Sequence, residues 1–211
     1  MSYLVLALSK GRLFPPTVAV LKQMGMVPRG LEDAGRLLTF DLPERKLRVI
    51  ISRATDVPTY VEHGVADIGI VGSDLLMEQV REVYAPVDLG FGRCAIVLAQ
   101  PSQNGAQHNG RRYTKLKVAT KYTHITESYF SEKGIPIEII KLYGSIELAP
   151  SLGLADQIVD LTASGETLRA HHLVVTDKIA ECSARLIVNR ASLKLKYPGV
   201  KEFIKAVADC L

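Results

Sequence analysis

The stretch Asp156–Leu168, "DQIVDLTASGETL", sets an acid and then a dense run of hydroxyls and small residues at the end of an apolar segment. Asp160 and Leu161 come first, and Thr162, Ala163, Ser164, Gly165, Glu166 and Thr167 follow. A phosphorylated ribose asks for groups in that order. Its phosphate is held by backbone N–H groups and hydroxyls at a helix start, where the dipole favours negative charge. Its 2′- and 3′-hydroxyls need a carboxylate that accepts both. Ordinary capping by Thr162 or Ser164 competes with this reading, since one hydroxyl suffices to cap a helix. Both readings stay open on this stretch alone.

Two more stretches place charge where strands should end. In "LSKGRL" (8–13), Lys10, Gly11 and Arg12 follow an apolar run and precede a helix start. Two cations and a glycine there could hold an anion, or could form a solvated turn. In "RATDVPTYVEHGVADIGIVGSDLL" (53–76), Arg53 follows the strand "VIIS", and Gly72 and Asp74 flank a strand-to-helix corner. The run "GVADIG" also suits bilobed solute-binding folds, so it speaks to architecture more than to activity.

Other chemistries find little support. The five histidines form no metal-spaced set with Cys, Asp or Glu, and no Ser/His/Asp or Cys/His nucleophile set is evident. Cys94, Cys182 and Cys210 lack CxxC spacing, which argues against disulfides and for a reducing, cytoplasmic setting. The net charge of +4 suits an anionic small molecule but is too diffuse for nucleic acid. The basic cluster Arg111, Arg112, Lys115 and Lys117 reads as a solvated loop and strand edge. No apolar run is long enough to span a membrane, and the N-terminus reads as a first strand instead of a signal peptide.

The residues around these stretches must position them. Val/Ile/Leu runs ("YLVLALS", "KLRVIIS", "ADIGIVG", "CAIVLAQ", "LKVAT", "IEIIKLY", "QIVDL", "RLIVNR") alternate with helix-period segments ("PPTVAVLKQMG", "TDVPTYVEHG", "SDLLMEQV", "ITESYFSEKG", "SIELAPSLGLA", "VKEFIKAVADCL"). Thr55 and Ser73 are candidate N-caps, and another helix should begin near Glu166. This pattern predicts an α/β protein with mostly parallel sheets covered by helices on both faces. Two such sets predict two lobes, residues 1–92 with 180–211 and residues 93–179, with the active site in the cleft between them.

Together, "LALSKGRL", "RATDVPTYVEHGVADIGIVGSDLL", "DLGFGRCAIVLA", "YGSIELAPSLGLADQIVDLTASGETL" and "SARLIVNRASLK" resemble, in order and spacing, the ATP phosphoribosyltransferases. The resemblance runs over nearly the whole chain. It implies a fold like that of type II periplasmic binding proteins. It also implies Mg²⁺-dependent transfer of phosphoribosyl from phosphoribosyl diphosphate to N1 of ATP, the first committed step of histidine biosynthesis. Asp160 would then hold the ribose hydroxyls, and Thr162–Thr167 the 5′-phosphate. Glu147 would lie near the ribose or the Mg²⁺, which is carried largely by substrate phosphates. Lys10, Arg12 and Arg53 would stabilise the triphosphate and the departing diphosphate, with Gly11 and Gly72 also on the ATP side and Asp74 a weaker ATP contact. Ser164 stands where the family often has threonine, and it keeps the hydroxyl.

The chain resembles the short form of the family. That form works in a hetero-octamer with a regulatory subunit resembling the catalytic part of histidyl-tRNA synthetase, and its catalytic chains are expected to pair. Two rivals are a solute-binding or effector-sensing module and a phosphoribosyltransferase of the type I class. The first would not need the phosphate loop. The second usually has two adjacent acids before that loop, where this chain has Val159 and a single Asp160.

Overall fold

The computed structural model describes residues 3–33, 35–102 and 115–211. Arg111 and Arg112 of the basic cluster lie outside these. The chain opens with strand β1 (Leu4–Ser9) and helix α1 (Phe14–Gln23). Pro15 and Pro16 sit in the first turn of α1, where their missing N–H groups cost nothing. Gly25, at φ +63°, ends that segment as expected. Strands β2 (Thr39–Leu42) and β3 (Leu47–Ser52), helix α2 (Val57–Glu62), strand β4 (Ile68–Gly72), helix α3 (Ser73–Gln79) and strand β5 (Val83–Asp88) follow.

Strand β6 (Cys94–Pro101) begins the second set. It continues with β7 (Leu116–Thr120), α4 (Thr123–Glu132), β8 (Ile137–Lys141), β9 (Gln157–Thr162), α5 (Glu166–Ala170) and β10 (Leu173–Cys182). Strand β11 (Ala184–Asn189) and helices α6 (Arg190–Leu195) and α7 (Tyr197–Ala208) close the chain. Two compact units result: Met1–Gly92 with Ser183–Leu211, and Arg93–Cys182. The second boundary falls a few residues later than 179/180, because β10 keeps pairing with β6 until Cys182 stands opposite Cys94. Neither of these cysteines forms a disulfide.

The sheet of the first unit has the order β2-β3-β1-β4-β11-β5, and that of the second β10-β6-β9-β7-β8. Each is parallel at its heart (β3-β1-β4; β9-β7-β8) and antiparallel elsewhere. The sheets are therefore mixed where mostly parallel ones were expected. Helical crossovers generate the parallel pairs, whereas β6 and β11 enter their sheets from the opposite direction.

In the first unit the central strands are buried on both faces. Leu6 and Leu8 of β1 pack with Val18, Leu21, Ile70, Leu186 and Phe203 on one side. Ala7, pointing the other way, packs with Val57, Val61 and Ile187. Gly69 of β4 belongs to this second face, and a Cβ there would stand 2.8 Å from Val61 Cγ2 and 2.9 Å from Val57 Cγ1. Its side-chain-free surface is what lets α2 lie close on the sheet. Asp67, 2% exposed, is fully engaged beneath α6. Its carboxylate accepts from Val5 N at 2.8 Å, Ser192 Oγ at 2.6 Å and Lys196 Nζ at 2.8 Å. This ion pair ties the last helices to β1 and β4.

Two expected caps do not form. Asp56, not Thr55, bounds α2, and the Thr55 hydroxyl donates to the Asp56 carboxylate instead. Gly72 bounds α3, while Ser73 Oγ accepts from Ser183 N at 3.2 Å and so ties α3 to the start of β11. The expected helix "SIELAPSLGLA" shortens to a single 3-10 turn, Ile146–Leu148. Ser145 enters that turn in the left-handed region, at φ +49°, and Pro150 and Gly153 stop it from propagating.

Candidate functional site

In the second unit the parallel register fixes which side chains share a rim. Thr120, the last residue of β7, pairs with Val159 of β9 and with Lys141 of β8. The next residues along β7 and β9 are Lys121 and Asp160, so both emerge at the carboxyl edge of the parallel core. Thr120 is fully buried and pins this corner. Its hydroxyl donates to the Val159 carbonyl at 2.7 Å and accepts from Tyr122 N at 2.8 Å.

Asp160 is the centre of this rim. Its Oδ1 accepts from Leu161 N at 2.8 Å and lies 3.8 Å from Lys121 Nζ. Burial holds its carboxyl above the usual carboxylate range, and the charge of Glu147 pushes the same way. The Lys121 ammonium and the Leu161 N–H oppose them. Glu147 is carried to this neighbourhood by the 3-10 turn, whose Ile146 is buried in the core. Asp160 and Glu147, both expected site residues, share this neighbourhood, and Lys121 joins them without having been among those expected. The available signal was the one that found Arg53, a cation directly after an apolar strand.

Strand β9 extends through Leu161 and Thr162, so the irregular part of the predicted cradle is only Ala163–Gly165. Gly165, at φ +73°, turns the chain into α5, and no side chain caps this helix at that residue. The Ser164 hydroxyl accepts from Glu166 N at a long 3.4 Å. Helix capping by Thr162 is not seen. A Cβ at Gly165 would stand 3.0 Å from Arg169 Nη1 and 4.0 Å from Thr162 Oγ1. The guanidinium of Arg169 thus reaches back over the loop, a second cation that the sequence reading did not single out. Ala163, Ser164, Glu166 and Thr167 are exposed, apart from a half-buried Gly165 between them, so their polar groups are open to a ligand.

The other predicted residues lie in the first unit, on the carboxyl rim of its own parallel core. Ser9 of β1 pairs with Ser52 of β3, and Ala7 with Gly69 of β4. Lys10, Arg53 and Gly72 therefore lie at three adjacent strand ends. Gly11 takes φ +108°, a conformation that favours glycine. Lys10 Nζ donates to the Gly35 carbonyl at 2.6 Å, and Arg12 donates to the Gly92 carbonyl at 3.1 Å. Arg53 is exposed, and its carbonyl accepts from Asp56 N at 2.9 Å. The Asp74 carboxylate folds back onto Gly72, where a Cβ would collide with it. These residues gather on one rim and Asp160, Glu147 and the loop on another, each within its own unit.

No group of three or more His, Cys, Asp or Glu suited to a metal occurs among the described residues. The donor set at Asp160 is two carboxylates, its own and that of Glu147, beside the Lys121 ammonium. Two carboxylates fit ribose hydroxyls, and they fit a magnesium ion that arrives on a diphosphate and keeps most of its non-protein ligands. Among the described residues, no helix is long and apolar enough to cross a membrane.

Residues 53–209 match the family model described as "HisG: ATP phosphoribosyltransferase". The chain is 48% identical to an ATP phosphoribosyltransferase 2 of Geobacter sulfurreducens over 205 residues, 97% of each chain. Among solved structures, it resembles a chain of the ATP phosphoribosyl transferase (HisG:HisZ) complex from Thermotoga maritima. That match has a TM-score of 0.84 and 33% identity, over 98% of both chains. The periplasmic aliphatic sulphonate binding protein SsuA of Escherichia coli shares the fold, with a TM-score of 0.60 and 13% identity over 72% of its length. With motifs, rim geometry and full-length similarity in agreement, the chain belongs to the ATP phosphoribosyltransferase family.

Proposed function

We propose that the protein transfers the 5-phosphoribosyl group of phosphoribosyl diphosphate to N1 of ATP, giving N1-(5-phosphoribosyl)-ATP and diphosphate, the first step of histidine biosynthesis. The observation that carries this reading is the rim on which Asp160, Glu147 and the Ala163–Gly165 loop occur together. Family membership directs it to this reaction.

Asp160 and Glu147 accept the ribose hydroxyls. The backbone and hydroxyls of Thr162–Thr167, with Leu161 before them, surround the 5′-phosphate, and the start of α5 adds its N–H groups. N1 of adenine brings its own lone pair, so no strong base is needed. The new bond joins N1 to ribose C1 while the C1–O bond breaks, and its electron pair leaves with the diphosphate. Charge therefore builds on the leaving group, which calls for fixed cations and in-line positioning. Lys10, Arg12 and Arg53 supply those cations, and Gly11, Gly72 and Asp74 shape the ATP side. Magnesium, when bound through the phosphates with Glu147 or Asp160 near it, neutralises part of the diphosphate charge.

The similarity to a chain of a HisG:HisZ complex supports a partner subunit. The family resemblance adds that this partner is regulatory and resembles histidyl-tRNA synthetase, in a hetero-octamer built on pairs of catalytic chains. Feedback by histidine then runs through that partner. The expected setting is the cytoplasm. Incubation with ATP, phosphoribosyl diphosphate and Mg²⁺, with and without the partner, tests the reading by chromatographic detection of phosphoribosyl-ATP. Product under either condition supports it, and none under both overturns it.

A further inference from the structure

We propose that Cys94 and Cys182 are a modification site, a reversible dithiol–disulfide couple that responds to a low-molecular-weight disulfide and acts on the phosphate loop beside it. The effect on the loop rests on its assignment to phosphoribosyl diphosphate. The two cysteines are direct register partners on the last rung of the antiparallel β10–β6 ladder. Directly opposed residues have Cα atoms about 4.5 or 5.5 Å apart, according to the type of rung, and their side chains share a face. A disulfide spans about 4.4–6.8 Å between Cα atoms, so either type of rung admits one. The rung is the end of its ladder, so it can close without straining rungs on both sides. Cysteine spacing in the sequence does not reveal the pair, because sheet register brings it together.

Burial sets the order of events. Cys94 is half-buried, whereas Cys182 is only 4% exposed. An external disulfide therefore reaches Cys94 first. The Cys94 thiolate attacks one sulfur of the oxidant, whose S–S bond breaks, and one thiolate departs with the electron pair. Cys182 gives its proton to water and attacks the Cys94 sulfur of the mixed disulfide, expelling the second thiolate. Two protein thiols have then lost two electrons, and one external disulfide has become two thiols. Excess thiol runs the same exchange backwards, and a reducing cytoplasm keeps the pair reduced at rest.

The consequence follows from the sheet order, in which β6 lies between β10 and β9. On the β9 side Ala95 stands opposite Thr162, so Cys94 falls level with Ala163, where the loop into α5 begins. The Cβ atoms of opposed residues are about 4.5–5.5 Å apart, and those of a disulfide about 3.8 Å. Closing the bond draws Cys94 toward β10 and away from the loop by about 1 Å, a displacement that is costly at a positioned site.

Incubation of the protein in mixtures of oxidised and reduced glutathione, followed by mass spectrometry of tryptic peptides, tests the chemistry. Calorimetric titration of the oxidised and re-reduced forms with phosphoribosyl diphosphate tests the consequence. Wild type should join the Cys94 and Cys182 peptides, reversibly with excess thiol. Cys182→Ser should instead carry glutathione on Cys94, and Cys94→Ser should leave Cys182 unmodified. Oxidation should weaken phosphoribosyl diphosphate binding by about tenfold in wild type and by less than about twofold in Cys94→Ser, where Cys210 is still present. Absence of the cross-link overturns the inference, as does a cross-linked protein that binds phosphoribosyl diphosphate as tightly as the reduced one. Ready modification of Cys182 in Cys94→Ser overturns the order of attack. If reduced wild type binds no phosphoribosyl diphosphate while the cross-link forms and reverses, the couple stands and the functional reading fails.

Discussion

Ser9 of β1 and Ser52 of β3 are register partners on the last rung of a parallel pair, so Lys10 and Arg53 leave the sheet side by side. Neither location is evident from a separation of more than forty residues in sequence. The pairing explains why two cations in unrelated motifs can serve one anion. Arg53→Ala is expected to lower kcat by about 10²-fold, the usual scale for loss of one group that stabilises developing charge. Steady-state rates at saturating substrates check this. An unchanged kcat with a raised KM for ATP would instead assign Arg53 to ground-state binding.

Gly165 is expected to resist substitution for two separable reasons. Its φ of +73° penalises any side chain by about 1–2 kcal/mol, and a Cβ would also press on Arg169 over the loop. Gly153, at φ +71° with nothing within 4 Å of an added Cβ, carries only the first penalty. Gly165→Ala should therefore lose at least as much stability as Gly153→Ala in thermal unfolding. Only Gly165→Ala should also raise the KM for phosphoribosyl diphosphate.

The sign of the Asp160 shift predicts an exchange of stability for function. Burial raises its folded-state value above that of the unfolded chain, so the folded protein holds the proton longer. Ionisation of this carboxyl then costs stability as the pH rises through the window between the two values, and the cost is complete above it. Asp160→Asn should be more stable than wild type at about pH 8, with the gain fading toward about pH 4. Thermal unfolding across that range checks it. A variant less stable than wild type at high pH would show that the carboxylate contributes to the fold.

Much of the site was legible because strands that end in charge or glycine advertise themselves. Lys10, Arg53, Gly72 and Asp160 all follow or end apolar runs, and each lies at a sheet rim. Lys121 escaped notice because "TKYT" reads as an ordinary loop until Thr120 and Tyr122 are seen to be buried. Strand β5 was missed since Pro86 interrupts its pattern, which an edge strand tolerates. Strand β10 was missed because bulges between Val175 and Asp177 and between Lys178 and Ala180 break its alternation. The helix expected at Ser145–Ala155 failed on Ser145, Pro150 and Gly153, whose backbone demands outweigh the apolar spacing. Mixed pairing was hidden for a different reason: strand direction is set by connections across the whole chain, which local periodicity does not report.

The assignment of Asp160 to the ribose hydroxyls is tested most directly by calorimetric titration of wild type and Asp160→Asn with each substrate alone. An asparagine keeps the shape and one acceptor but loses the charge and the second acceptor. Phosphoribosyl diphosphate affinity should fall by about 10²-fold, and ATP affinity should stay within about twofold. Equal losses for both substrates, or a loss confined to ATP, would contradict the account.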